Sequence, residues 1–358
     1  MTDMIAETAD RLFAAYADAC LAAMPQSAEA GTTPWQADLW HAIEEAGFPL
    51  ALLSEEEGGF GLTRAEAFGL VEKSARYAAA APLAETMAAN WLLAGAGLDL
   101  AEGPATFAAG ASLTLEGDRW LLRASLARVP WGADAAVIAV LAEDESGNLH
   151  LARVAGDRHA RRGHNIAAEA RDDLTLELLL DKSAVSPAPI NYEGMLALGA
   201  ALRAQALAGA LDAVLEKSVA YANERVQFGR PIGRFQAIQQ NLAVMAGQVA
   251  AARAAAQMAA DAHSHARTAP EAFRLAAAAA KLRAGEAAGI VAAIAHQVHG
   301  AIGFTQEYPL HPLTRRLWAW REEFGSETHW AEVLGGAATA IGADAFWPFL
   351  THAEGVPQ

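Results

Sequence analysis

An α+β multidomain fold is predicted, with an N-terminal α-helical domain, a small middle β domain and a C-terminal α-helical bundle. Three observations predict it: apolar residues recur at helical spacing up to about residue 100, the period shortens between about 105 and 186, and long helical stripes return beyond it. The domains are accordingly set at 1–104, 105–186 and 187–358. In the first, Ile5, Leu12, Phe13 and Tyr16 share one helical face, and the pattern repeats from Leu39 to Ala46 and from Ala65 to Tyr77. Glu57-Gly58-Gly59-Phe60-Gly61 interrupts it and reads as a loop that needs positive φ. No strand precedes these glycines and no lysine follows them, so neither nucleotide-loop template fits.

In the middle segment, Leu113, Leu115, Trp120, Leu122, Val137 to Leu141, Leu149, Leu151, Val154 and Leu174 to Leu178 form short runs between polar turns, which predicts several strands. Glu145-Ser146-Gly147-Asn148 reads as a hairpin connection. Pro187-Ala188-Pro189 favours an extended connector. Beyond it, Phe235, Ile238, Leu242, Met245 and Val249 form one helical stripe. Thr268-Ala269-Pro270-Glu271 supplies an N-cap, a first-turn proline and an acidic residue ahead of another helix.

Composition narrows the function classes. With 26 Lys+Arg against 42 Asp+Glu the formal net charge is −16, which opposes general nucleic-acid binding, since that rests on neutralising phosphates. Hydrophobic residues are 53% and charged ones 19%, so a large core can form. The Ala-rich stretches Gly194 to Leu215 and Leu275 to Val298 contain Arg203, Lys281, Arg283 and Glu286, and are read as core helices with no membrane span. The lone cysteine, Cys20, falls on an amphipathic helix as a structural thiol and suits a reducing compartment. The start, MTDMIAETADRLF, has acidic residues where an export signal is basic, and the expected location is cytoplasmic.

No GxSxG, HExxH, GxGxxG or P-loop pattern is present, and His296 and His299 lack a third ligand in view, so structural roles are read for them. The informative stretch is Tyr221 to Met245. It closes one helix at Arg225, turns at Gly229, Pro231 and Gly233, and opens another helix at Phe235. Such a corner gathers an arginine fork, backbone amides and Gln236, which is what a diphosphate needs. On chemistry alone, Arg225 reads first as one half of a surface ion pair.

ERVQFGRPIGRFQAIQ at 224–239 and QVHGAIGFTQEYPLHPLTRR at 297–316 closely resemble the acyl-CoA dehydrogenase flavoproteins, and EEEGGFG at 55–61 and VPWGAD at 129–134 agree. The resemblance implies FAD as cofactor, an acyl-CoA substrate, an electron-transfer acceptor protein, and a dimer or tetramer. It implies FAD contacts at Arg225, Gln227, Phe228 and Gln236 from one subunit, and at Gln297 and Gly300 from its neighbour. It also implies α,β-dehydrogenation of an acyl-CoA to the trans-2-enoyl thioester, with a carboxylate as base.

The carboxylate is missing. Counting forward from Glu307-Tyr308-Pro309 brings the usual base position to Phe324, and counting back from Arg225 brings the alternative one to Gly199. Glu322 and Glu323 remain, either as solvated helix residues or as a displaced base. The family's flavin-facing T-E-P-G-x-G-S-D loop is replaced by Ala105 to Ser112. Arg315, Arg316 and Arg321 read as surface charges or as partners of CoA phosphates, and Trp318 and Trp320 as packing or as an acyl-pocket wall. Three functions follow from the losses. The chain pairs with a homologous catalytic subunit, or it is a homo-oligomeric enzyme with a displaced glutamate, or it is a flavin-free acyl-CoA-binding scaffold. The first accounts for both missing bases together.

Overall fold

A computed structural model of the chain describes residues 2–23, 33, 35–156, 158–305 and 308–351. Its first helices are α1 (Thr2–Ala23), α2 (Ala37–Glu45), α3 (Arg64–Arg76) and α4 (Leu83–Gly95). A reciprocal cap starts α3: the Thr63 hydroxyl accepts from the Glu66 amide while the Glu66 carboxylate accepts from the Thr63 amide at 2.8 Å. Lys73 on α3 pairs with Asp10 on α1. In the loop between α2 and α3, Gly58 and Gly61 have φ of +89° and +64°, the left-handed conformation expected of them. Cys20 is buried in α1, and its thiol donates to Gln36 Oε1.

The middle segment is one seven-stranded sheet built from β1 (Ala105–Glu116), β2 (Arg119–Pro130), β3 (Val137–Asp144), β4 (Leu149–Ala155), β5 (His159–Arg161), β6 (Arg171–Asp181) and β7 (Val185–Pro187). Its order is β5-β6-β2-β1-β3-β4-β7, with only β1 and β3 parallel among these pairs. Leu113, Leu122, Leu126, Ile138, Val140, Leu174 and Leu176 point to one face and form its core. Each such side chain contributes about 1.5–3 kcal/mol when fully buried. α4 packs on β1 and β3. The β3–β4 hairpin turns where expected, because Asp144 accepts from the amides of Ser146 and Asn148 and Gly147 takes φ +83°. The expected extended connector begins as an edge strand, with Val185–Pro187 paired to β4.

The chain divides into two compact units, 1–195 and 196–358. The second holds most of α5 (Tyr192–Glu224), then α6 (Gln236–Ala262), α7 (Pro270–His299), α8 (His311–Trp320), α9 (Glu327–Ile341) and α10 (Ala343–Thr351). α7 packs against α6, α8 and α9. Along the expected stripe of α6, Met245 and Val249 are buried while Phe235, Ile238 and Leu242 are half-buried. The start of α7 departs from the expected cap. Ala269 is the N-cap, with φ −134°, and the Thr268 hydroxyl turns back to the His265 carbonyl, so Pro270 opens the helix without a side-chain cap. α5 and α7 are long and apolar enough to cross a bilayer, but the most apolar window of α5 is 94% buried inside the protein, the setting of a core helix.

Candidate functional site

The corner between α5 and α6 is built as the sequence indicates. The Arg225 amide closes the last turn of α5 on the Tyr221 carbonyl. A two-residue ladder, β8 (Val226–Gln227) on β9 (Arg230–Pro231), then turns through Phe228 and Gly229. Both turn residues have positive φ, +53° and +79°, which matches the twist of a tight hairpin. The Ile232 amide returns to the Arg225 carbonyl at 2.8 Å, so the hairpin is clamped at its base. Phe228 at its tip is 90% exposed, steadied edge-on by Phe235, which also lies under the Arg230 guanidinium.

α6 starts with Phe235 as a cap that offers no side-chain acceptor. The Phe235 carbonyl takes the amides of Ile238 and Gln239, leaving those of Gln236 and Ala237 at the positive end of a 27-residue helix. Arg225, Gln227 and Gln236 are exposed, and among the described residues none of their side chains has a hydrogen-bond or ion-pair partner. The carboxylate partner that simple surface chemistry suggests for Arg225 is therefore absent among the described residues. This is an anion-receptive corner with uncommitted donors.

At the end of α7, Gln297 is exposed, and Gly300 takes φ +63° with nothing within 4 Å of where a Cβ would be. His299, between them, and His296, just before them, point inward. His299 Nδ1 donates to the Ala295 carbonyl at 2.8 Å, its Nε2 faces the Tyr308 hydroxyl, and its ring stacks on Tyr221 at 4.5 Å. His296 pairs with the Thr314 hydroxyl and stacks between Phe304 and Trp318. Burial first, and for His296 also the neighbouring His299 and His311, holds both imidazoles below their ordinary pKa. Among the described residues no group of three or more His, Cys, Asp or Glu could hold a metal ion. Gln306 and Glu307 of the EYP stretch lie outside the described residues.

The Tyr221–His299 stack brings the last turn of α5 against the last turn of α7, so Arg225 and its neighbours lie at the same end of the bundle as Gln297 and Gly300.

The two positions where the resemblance implies a base, Phe324 and Gly199, also meet. Gly199 on α5 lies against the Phe324 ring so closely that an added Cβ would stand 2.2 Å from Phe324 Cδ1. One helical turn on, buried Arg203 donates from Nε to Glu323 Oε2 at 2.8 Å, and its guanidinium lies 5.5 Å from the centroid of the Phe324 ring. Glu323, 12% exposed, is thus neither a solvated helix residue nor a free base: residues 321–324 form a turn after α8, and Arg203 holds its carboxylate. Glu322 is 65% exposed and reaches Arg321 only at 3.7 Å.

Arg203 and Lys281 entered the sequence reading only as charges that oppose a membrane span. Lys281 is fully buried in α7 and donates to the carbonyls of Arg321 and Gly325 at 2.6 and 2.9 Å, and burial lowers its pKa to about 8. The i, i+4 spacing of Gly199 and Arg203 was the available signal.

The remaining arginines and tryptophans resolve individually. Arg316 is fully buried, not a surface charge, because α8 packs that face on α7. Arg321 pairs with Glu327 at 2.8 Å. Burial lowers the pKa of Arg315, which is half-buried. Trp320 is buried and Trp318 stacks on His296, so both pack. In the first unit, Ala105 to Ser112 is strand, with a bulge at Gly110 (φ +105°) where the family's loop would be. A groove of about 760 Å³ crosses this sheet beside Gly110, Ser112 and Glu143, but its one arginine, Arg123, is spent on Glu177 at 3.0 Å.

Residues 192–333 match the family described as acyl-CoA dehydrogenase, C-terminal domain. The chain is 31% identical over 319 residues to acyl-CoA dehydrogenase IpdE2 of Mycobacterium tuberculosis, covering 87% of this chain and 89% of that one. A further curated relative matches at 40% identity over 112 residues, and there the chain spans only 27% of the relative's length. Among solved structures, the ChsE4-ChsE5 complex from Mycobacterium tuberculosis superposes with a TM-score of 0.82 at 21% identity, covering 96% of this chain and 98% of the matched one. The Tcur3481-Tcur3483 steroid ACAD G363A variant gives 0.79 at 24% identity, covering 95% and 99%. These two show the fold. The chain belongs to the acyl-CoA dehydrogenase family, an FAD-dependent oxidoreductase family.

Proposed function

We propose that this chain is one subunit of a heteromeric acyl-CoA dehydrogenase, anchoring FAD while a homologous subunit supplies the catalytic carboxylate. The observation that carries this reading is the meeting of Phe324 with Gly199, with the nearest carboxylate, Glu323, bound to Arg203. The α-proton of a thioester is weakly acidic, and its removal needs a base within about 3 Å in a dry site. Neither Phe324 nor Gly199 can accept a proton, and Glu322 lies in solvent.

The chain's residues fit the polar end of FAD. Arg225 presents a charged fork to a diphosphate beside the open amides of α6, and Gln236 adds a donor and an acceptor. Gln227 and the exposed Phe228 extend the contact along the hairpin, while Gln297 and the unobstructed Gly300 suit close approach of the adenine end. Bound FAD would supply a hydride acceptor for the β-hydrogen, and with the α-proton taken by the partner's carboxylate an acyl-CoA would become its trans-2-enoyl thioester, the electrons passing on to an acceptor protein.

Two likenesses favour a mixed assembly: one solved relative is a complex of ChsE4 with ChsE5, and another is named as a steroid enzyme of two components. We extend both to this chain as a dimer or tetramer with a homologous subunit acting on a bulky, steroid-like acyl-CoA. A cytoplasmic setting agrees with the single buried thiol of Cys20.

The test is to purify the chain alone and with the product of the adjacent reading frame, then record flavin absorbance and acyl-CoA turnover with an artificial electron acceptor. The pair should be faster than the chain alone by about 10² or more, the scale of a positioned base. Robust turnover by the chain alone, abolished by Glu323→Gln or Glu322→Gln, would establish the displaced base instead. A preparation that stays colourless with the partner present would favour the flavin-free scaffold.

A further inference from the structure

The turn joining α8 to α9 is held more firmly than a connection requires. Lys281 ties down the carbonyls on either side of Phe324, and Trp330 Nε1 donates to the carbonyl of Phe324 itself at 3.0 Å. Arg321 at the start of the turn is fixed to Glu327, and Glu323 to Arg203. Between these ties Phe324 takes φ +54°, a left-handed conformation costly for a bulky side chain and kept only where the surroundings over-determine it. The result is that its ring is pressed onto Gly199, where an added Cβ would stand 2.2, 2.5 and 2.6 Å from three ring carbons. Arg203 covers the ring from the next helical turn and lies 5.9 Å from the centroid of Trp320.

Loss of a catalytic glutamate does not by itself demand any of this. A small residue at 324 in a relaxed turn would remove the base equally well. The glycine at 199, the strained phenylalanine and the paired charges instead form a fitted set whose joint effect is to fill space.

We propose that Phe324 is a plug that closes the acyl site of this subunit at its base position, and that Gly199 is the residue that makes room for it. Identifying the filled space as an acyl site rests on the family reading above; the interlock of ring and glycine does not. The plug excludes the acyl group of a thioester rather than its CoA part, so this subunit is committed to a supporting role.

The test uses the full chain carrying Gly199→Ala, Phe324→Ala and both together, with thermal unfolding and calorimetric titration of octanoyl-CoA and of free CoA. Gly199→Ala alone should lower the melting temperature by several degrees, because backbone-anchored ring atoms cannot retreat. In the Phe324→Ala background the same change should be neutral or stabilising, alanine being the better helix former. Equal shifts in the two backgrounds would refute the interlock. Phe324→Ala should bind octanoyl-CoA about tenfold or more tightly than the unaltered chain, the scale of admitting a few methylenes, with free CoA unchanged. Equal affinity of the two proteins for octanoyl-CoA would overturn the plug even if the interlock holds. Neither readout depends on flavin content or turnover, so failure here is separable from failure of the heteromeric reading.

Discussion

The α5–α6 corner and the α8–α9 turn both carry arginines and strained backbone, yet they are opposites in what their polar atoms do. At the corner, Arg225, Gln227 and Gln236 stand in solvent with no side-chain partner among the described residues. At the turn, Arg203, Glu323, Lys281 and Arg321 are each bound to a named group. Uncommitted donors around a preset backbone are what a binding site keeps, because a donor already satisfied within the protein gains little from a ligand. Fully committed groups around a phenylalanine are what a packed interior keeps. On the function proposed above, the corner is the ligand-contacting region and the turn is where proton chemistry has been given up.

The hardest blow to this contrast is Arg203→Ala. Removing one partner leaves the Glu323 carboxylate buried without its charge partner, which should cost about 3–5 kcal/mol in chemical unfolding. A loss below about 1 kcal/mol, the scale of an exposed pair, would place the turn in the same class as the corner. Arg225→Ala should do the reverse. Stability of the flavin-free chain should move by no more than about 0.5 kcal/mol. Flavin retained after gel filtration should fall about tenfold, since a charge-assisted contact is worth roughly 1.5–3 kcal/mol. Unchanged retention would sink the assignment of the corner.

The smallest effect is a pH signature of the anchoring end. His296, His299 and His311 all have folded pKa values lowered from 6.5, chiefly by burial. Below 6.5 the unfolded chain binds protons that the folded chain resists, so their contribution to stability is full above that value and is lost as pH falls through the folded pKa values. Unfolding free energy should therefore drop on acidification, by at most about 1.4 kcal/mol per pH unit for each histidine. His299→Phe should flatten that slope while retaining the stack on Tyr221. An unaltered slope would show that His299 titrates alike in both states.

Much of the architecture was legible because it is written in short-range patterns. Short apolar runs about Leu113–Leu115 and Val137–Leu141 fall within strands β1 and β3, Gly147 and Asn148 marked the hairpin, and the Gly229 turn marked the corner between α5 and α6. Local patterns also misled where one side chain had two ways to be satisfied. Thr268 has the residue type of a cap, but its hydroxyl bonds the His265 carbonyl, and Arg316 has a surface residue's chemistry but lies buried where α8 packs on α7.

The sequence by itself determined the order of helical, β and helical segments and the anion-receptive corner, and its resemblance to the family put Phe324 and Gly199 where a base is expected. The first two are set by residues within a few turns of one another, where backbone periodicity dictates which side chains share a face. Only the tertiary structure decided that the two empty positions touch, that Glu323 belongs to Arg203 120 residues away, and that Tyr221 joins the end of α5 to His299. Those pairings depend on how α5, α7 and the α8–α9 turn pack, and the fit of a phenylalanine ring over a glycine is selected by packing density at that point rather than by any repeat along the chain.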